Sequence, residues 1–444
     1  MIDVLVIGGG SSALCAAIAA RHHGASVRLI ERAPRHLRGG NTRHARNFRL
    51  MHEQPKPWTP DTYSEEAFLQ DLISVTDGAT DQRLARLLVQ GSATIADWLS
   101  DKGVRLQRPA NTYTSYSQRT AFLLGGGKAM VNALYAAAAR LGIAISYESE
   151  LIGLDCADEH RCRASIRRGS AIEKIVAKAA VVCAGGHQAD LDWLREDFGA
   201  AVDGFAVRGT PYADGAALRL LLDAGAKPIG DPGRCHIVAV DARGPKFDGG
   251  IVTRITAIPH GIVVDRDGRR FADESANVGK SHFAEWGARI ASCVGQIAFL
   301  ILDSRGLARA RPSALPPIQA DSIAGLAAKL QVDPAALEAT VRDFNASIAA
   351  TDGMSPRRCA LAEPPFACYP LRPGLTFTHY GVIVDPQMRV MTNSGPPFAH
   401  VFAAGMIMAA NVLGRGYLSG LGLTIATVFG RLAGEAAARH AARL

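Results

Sequence analysis

Lysine is scarce in this chain: nine of the 49 basic residues are Lys and 40 are Arg. Long blocks of one charge are also missing, because the basic residues are scattered among 41 acids. The balance is +8 over 444 residues, with a pI near 9.2. Dispersed basic charge gives a solvated surface and can steer an anionic substrate. Without a recognised binding module beside it, it argues against a nucleic-acid partner. No apolar run approaches the ~20 residues that span a bilayer. The longest runs, such as IAFLIL at 297–302, read as buried strands. The eight cysteines (15, 156, 162, 183, 235, 293, 359 and 368) include no C-x-x-C and no ferredoxin-like spacing. They read as reduced, mostly buried thiols of a cytoplasmic protein, with no iron–sulfur cluster, zinc or other metal expected. Met1-Ile2-Asp3 leads directly into VLVIGGG without a basic n-region, so no cleaved signal is expected. Aromatics are only 6 % of the chain, while 48 % is apolar and 45 residues are Gly. That is the composition of an α/β enzyme of about two to three domains.

The first thirty residues carry the strongest local signal. Asp3 to Ile7 is a short apolar strand, followed at once by Gly8-x-Gly10-x-x-Ala13. Ala13 to Arg21 is alanine-rich and helical in pattern, Gly24 breaks it, and SVRLIE is a second strand ending at Glu31. A glycine fingerprint alone is weak evidence. Here it stands in a strand–turn–helix–strand order with an acid at its end, about 20 residues on, as dinucleotide binding requires. Gly8 allows the tight turn, and Gly10 lets a pyrophosphate approach the backbone at a helix N-terminus. Glu31 would accept ribose hydroxyls. The competing reading is a structural βαβ unit with no ligand.

The fingerprint does not decide between FAD and NAD, but the last 45 residues help. HVFAAG (400–405) is a strand running into glycine, and a long helical pattern starts at Gly420. The N-terminus of that helix would favour negative charge on a flavin pyrimidine ring; ordinary packing is the bland alternative. The fold class expected is therefore α/β, with a Rossmann-like FAD-binding domain completed by the C-terminus.

GGNTRHARNFR (39–49) and AANVLGRGYLSGLGLTIATVFGRLAGEAA (409–437) carry a resemblance. The sequence resembles the flavoprotein family of fumarate reductase and succinate dehydrogenase. Within it, the chain is most similar to the tricarballylate dehydrogenase branch and CobZ-like relatives. AAVVCAGGH (179–187), GTPYADGAALRLLLDAGA (209–226) and GIVVDRDGRRFADES (261–275) resemble the internal landmarks of the family. The resemblance implies an inserted α+β capping domain at 232–364, between FAD-binding parts at 1–231 and 365–444. It implies FAD contacts at Gly8, Gly10, Ser12, Ala13, Glu31, Arg32, Gly39, Gly40, Asn41, Gly185, Asp214, Gly405, Ser419 and Leu421. Where covalent members attach FAD to a histidine, this chain has Asn41, so non-covalent FAD is expected, with His44 nearby. The usual Gly-Glu after the C-terminal strand is Gly405-Met406 here, which removes one carboxylate contact.

The activity implied is hydride transfer between a substrate carbon and flavin N5, with a second group moving a proton at the adjacent carbon. The substrate implied is a small polycarboxylate, tricarballylate going to cis-aconitate being the leading case. Carboxylates need cations and imidazoles around them when buried. The candidates are His379, Arg415, His236, His44, Arg46 and Tyr417. Arg415 stands three places from the offset of the family arginine. In the cap, the position of the family's acid arginine holds Val278, and its upstream relay acid falls near Pro259-His260. Lys280, His282 and Arg270 are the substitutes available. Electrons would leave through a separate partner, implied to be a membrane-associated iron–sulfur or haem protein, with the chain at the inner face of the membrane. A fumarate-reductase-like or ketosteroid-dehydrogenase-like enzyme is the runner-up, and a non-enzymatic flavin-containing binding protein is the third reading.

Overall fold

A computed structural model describes residues 1–107, 119–158, 160–276, 282–349 and 359–444, with backbone only at His282 and Phe283. Val278 and Lys280 lie outside the described residues. The chain divides into two compact units. The first is Met1–Leu194, Gly209–Cys235 and Phe377–Leu444; the second is Arg195–Arg208 and His236–Thr376.

The first unit is built on an eight-stranded sheet. Ile2–Ile7 lies between Val27–Ile30 and Ala171–Val182, parallel to both. Ala144–Ser146 extends one side and Pro397–Ala403 the other, again parallel. Val4 to Val6 and Ala179 to Val182 are buried, as strands covered on both faces must be. The crossover helix Ser11–His22 has every residue from Ser11 to Ala20 buried. The last helix, Leu421–Ala441, packs on it. The contact is close because two glycines give way. A Cβ on Gly430 would lie 2.5 Å from the Ser12 carbonyl oxygen, and one on Gly434 would lie 2.1 Å from that of Ala16. Thus the C-terminal segment completes the fold begun by the first thirty residues, as its pattern indicated. A three-stranded antiparallel sheet of Asn47–Arg49, Thr120–Leu123 and Leu106–Gln107 belongs to the same unit.

In the second unit, Ala298–Leu302 pairs antiparallel with Ile262–Val264 on one side and with residues 367–371 on the other. All five residues of IAFLIL that form the strand are buried. Helices Ile323–Leu330 and Pro334–Ala349 cover the sheet, seating Leu326, Leu337 and Phe344 against Ile262 and Phe299. Glu274 is 3 % exposed: it accepts from the Val263 amide at 2.7 Å and from Arg270. Arg270, a candidate proton acceptor from sequence, is thus ion-paired. Among the described residues, no helix is long and apolar enough to cross a membrane.

Candidate functional site

A cleft opens in the first unit. Its floor is the turn after the first strand. Gly8 has φ +114°, and a Cβ there would sit 2.6 Å from the Cys183 carbonyl oxygen. Gly9 was not singled out by the fingerprint, yet it is as constrained. A Cβ on it would lie 2.0 Å from Glu31 Oε2 and 2.3 Å from the Tyr135 hydroxyl. Only a bare backbone therefore passes between Glu31, Tyr135 and the cleft.

Glu31 is 5 % exposed. Its Oε1 accepts from the Ala33 amide at 3.0 Å and its Oε2 from the Gly39 amide at 3.4 Å. Burial raises its pKa, opposed by these backbone bonds. Each carboxylate oxygen keeps a second lone pair, so the residue can still accept a hydroxyl from a ligand. It also ties down the start of GGNTRHARNFR. Gly39 has φ +106° and packs on Val131, and Gly40–His44 forms a short 3-10 turn. Thr42 then reaches the first helix, where its Oγ1 accepts from the Ser11 amide at 3.0 Å. Asn41 Oδ1 accepts from the Thr210 amide at 3.0 Å. Arg32 pairs with Asp214 and, at 3.2 Å, with Glu150, both on the cleft wall. Gly405, at φ +85°, brings the C-terminal strand against Ser12.

The cleft wall therefore gathers Gly8, Gly10, Ser12, Glu31, Arg32, Gly40, Asn41, Gly185, Asp214 and Gly405. Gly9, Thr42, Glu150 and Met406 join them without having been singled out in sequence. Ala13, Gly39, Ser419 and Leu421 stand behind that wall rather than on it. Ala13 and Leu421 are fully buried in packing, and the Leu421 amide donates to the Leu418 carbonyl at 3.1 Å.

A second group of side chains surrounds the start of the last helix. The Tyr417 hydroxyl accepts from the Gly422 amide at 3.4 Å. Phe377 lies between Tyr417 and His379, with ring centroids 5.2 Å from each. His379 is 5 % exposed, its Nδ1 is buried without a partner, and burial lowers its pKa to about 4. It is a neutral imidazole at ordinary pH. Arg46 follows the 3-10 turn. Its guanidinium is 5.7 Å from the Phe122 ring, and its Nε is buried with no hydrogen-bond partner. Asn47, next along, donates to Ser419 Oγ at 3.3 Å. His44 is half-buried at the end of the same turn, Arg415 is exposed, and His236 belongs to the second unit.

Comparison with known proteins identifies the cofactor as FAD. A family model described as an FAD binding domain matches residues 3–423. The chain belongs to that family. A probable fumarate reductase, Ifc3, of Shewanella frigidimarina is 25 % identical over 456 residues, covering 99 % of this chain and 75 % of that protein. The open conformation of a flavocytochrome c3 fumarate reductase superposes with TM-score 0.81 at 23 % identity, covering 99 % of this chain and 78 % of the other. The 3-ketosteroid delta1-dehydrogenase of Sterolibacterium denitrificans superposes with TM-score 0.78 at 19 % identity, covering 100 % of both. The protein is an FAD-dependent oxidoreductase acting on CH–CH bonds, similar in sequence to fumarate reductases. The glycine-lined floor fits FAD. A dinucleotide needs the backbone close to its pyrophosphate, and packing against Cys183, Glu31, Tyr135 and Ser12 holds glycine at positions 8, 9 and 405, which line the cleft.

Proposed function

We propose that this flavoenzyme acts on the CH–CH bond of a small polycarboxylate, with tricarballylate to cis-aconitate the leading reaction. The observation that carries this reading is the buried, unpartnered Nε of Arg46. Buried polar atoms are almost always bonded, so an arginine nitrogen left without a partner marks the place of a missing acceptor. A carboxylate supplies two. Arg46 follows the cleft-lining turn directly, and Asn47 joins the start of the last helix. When bound, FAD would supply the two-electron acceptor for the substrate's hydride. Arg46 holds the substrate carboxylate, which orients the reacting carbons and eases loss of the adjacent proton. His379, neutral and with one free ring nitrogen, is the assigned group for that proton; Arg415, being exposed, is given no role. His44 completes the substrate contacts assigned in the first unit. The cofactor contacts assigned are Gly8, Gly10, Ser12, Glu31, Arg32, Gly40, Asn41, Gly185, Asp214 and Gly405, with Gly9 and Thr42 added. Asn41, which cannot form the histidyl link, leaves FAD non-covalent. Electrons pass to a separate protein.

The test is anaerobic bleaching of the flavin by a panel of di- and tricarboxylates, with an artificial acceptor for turnover. Reduction by tricarballylate and not by succinate supports the leading reaction. No response to any polycarboxylate sinks the reading. One observation favours a second reading. Tyr417 packs on Phe377 with its hydroxyl at a helix N-terminus, an arrangement suited to a tyrosine acid facing an apolar ketone. Flavin absorbance changes with ketosteroids and none with carboxylates would select it.

A further inference from the structure

A set of buried polar side chains lies under the first turn of the last helix. Arg49 and Tyr63 are each 1 % exposed. Arg49 donates from Nε to the Ser419 carbonyl at 3.1 Å and from Nη1 to the Tyr63 hydroxyl at 3.1 Å. Tyr63 donates onward to Asp71 Oδ2 at 2.8 Å. That oxygen lies 3.7 Å from Arg49 Nη1 and 3.0 Å from Arg119 Nη1. Burial, with Asp71 beside it, raises the Tyr63 pKa, so the hydroxyl keeps its proton and the relay keeps its direction. Thr424 fastens the helix to the same strand: it accepts from the Arg49 amide at 3.2 Å and donates to the Arg49 carbonyl at 2.7 Å.

The sign of the charge is the anomaly. A helix N-terminus favours anions and disfavours cations. Here a buried guanidinium bonds the carbonyl just before the N-cap Gly420. Among the described residues its carboxylate neighbour is Asp71, which is shared with Tyr63 and Arg119, so positive charge remains. Such an arrangement is unfavourable unless negative charge arrives beside it. The helix also stands at the FAD cleft: Ala426 and Met406 line the wall, and Met406 Sδ is 3.9 Å from where a Gly422 Cβ would be.

We propose that Arg49 is a positioning residue whose buried charge, held by Tyr63 and Asp71, raises the reduction potential of the bound flavin. The inference rests on the flavin being seated at this helix end, and it is independent of which substrate is used. It is tested by redox titration of the holoprotein in the absence of any carboxylate ligand. Arg49→Gln should lower the midpoint and Asp71→Asn should raise it, each by roughly tenfold in the flavin equilibrium, or about 30 mV for a two-electron couple. Arg49→Lys, which keeps the charge, should return close to the wild-type value. Shifts of one sign in both charge variants, or no shift in either, overturn the proposal. If Arg49→Gln does not fold with FAD, Asp71→Asn is set against Arg119→Gln. Opposite signs, the latter smaller because Arg119 is 38 % exposed, support the proposal; anything else removes it. A bleaching panel that fails with these shifts present would sink the carboxylate reading alone.

Discussion

The two ends of the FAD unit are finished differently. At the nucleotide end the polar groups are bonded within the protein. Glu31 takes two amides, Asn41 takes the Thr210 amide, Thr42 takes the Ser11 amide, and Arg32 is paired with Asp214 and Glu150. At the other end, Arg46 Nε and His379 Nδ1 are buried and unbonded. An end that is complete in itself serves as a mould: it fixes backbone, and the ligand fits the space left. An end with unmet hydrogen bonds awaits the polar atoms of a ligand. The first should respond to changes in shape, the second to changes in charge.

The largest effect is expected from filling the mould. Gly9→Ala places a methyl 2.0 Å from Glu31 Oε2. Overpacking of this kind costs about 1–3 kcal/mol, a rise of roughly 5- to 150-fold in the FAD dissociation constant. Titration of apoprotein with FAD, followed by flavin fluorescence, measures it. Unchanged affinity would show that the floor is soft and the contrast false. Next in size is Arg46→Ala. Losing a charged hydrogen bond costs about 1.5–3 kcal/mol, so carboxylate binding should weaken by one to two orders of magnitude while FAD affinity holds. If FAD is lost instead, Arg46 belongs to the nucleotide end and the comparison must be redrawn.

The same contrast explains what was legible. The strand–glycine–helix–strand order, the acid at Glu31 and the closing helix at 421–441 were readable because they depend on short-range spacing and periodicity. Gly430 and Gly434 stand four apart, and that spacing was the only trace of their close approach to the first helix. Thr42 adjoins the quoted Gly39-Gly40-Asn41, yet nothing local says that its hydroxyl meets Ser11, 31 residues earlier. Tyr135 meets Gly9, Glu150 meets Arg32 and Arg49 meets Ser419 across long stretches of chain, and no spacing rule encodes such contacts. Arg46 and Arg49 looked alike among the arginines of GGNTRHARNFR. Only burial and partners separate them: Arg49 is enclosed with hydrogen-bond and ion-pair partners at Ser419, Tyr63, Thr424 and Asp71, and Arg46 keeps a bare nitrogen.

A third, smaller effect concerns pH. His187 is fully buried, stacked on Trp193 at 4.3 Å, with neither ring nitrogen bonded; burial lowers its pKa to about 4 from the ordinary 6.5. A depressed imidazole pKa means that the unfolded chain binds the proton more readily. Stability is then fully present above about pH 6.5 and is lost as the pH falls toward 4, by at most about 1.4 kcal/mol per unit. His187→Phe keeps the stacking area and removes the proton site. Melting curves should show it more stable than the wild type at pH 5.5, with the gap shrinking at pH 8. A gap that does not change with pH would mean that this histidine has a partner or solvent access, and that unmet bonds are no guide to function in this fold.

The smallest effect tests the mould from behind. The Tyr135 hydroxyl donates to the Gly9 carbonyl at 3.0 Å, and Arg38 lies 4.3 Å over its ring. The bond fixes the peptide that faces the cleft. Tyr135→Phe removes it with no change of charge and almost none of volume. A single neutral hydrogen bond contributes about 1 kcal/mol, so FAD should bind roughly fivefold more weakly. The carboxylate titration of the FAD-saturated variant should be unchanged, since Tyr135 stands at the nucleotide end. Parallel weakening of both ligands would mean that the two ends share one rigid frame, and that bonding within the protein and openness to a ligand are properties of single residues rather than of the ends they occupy.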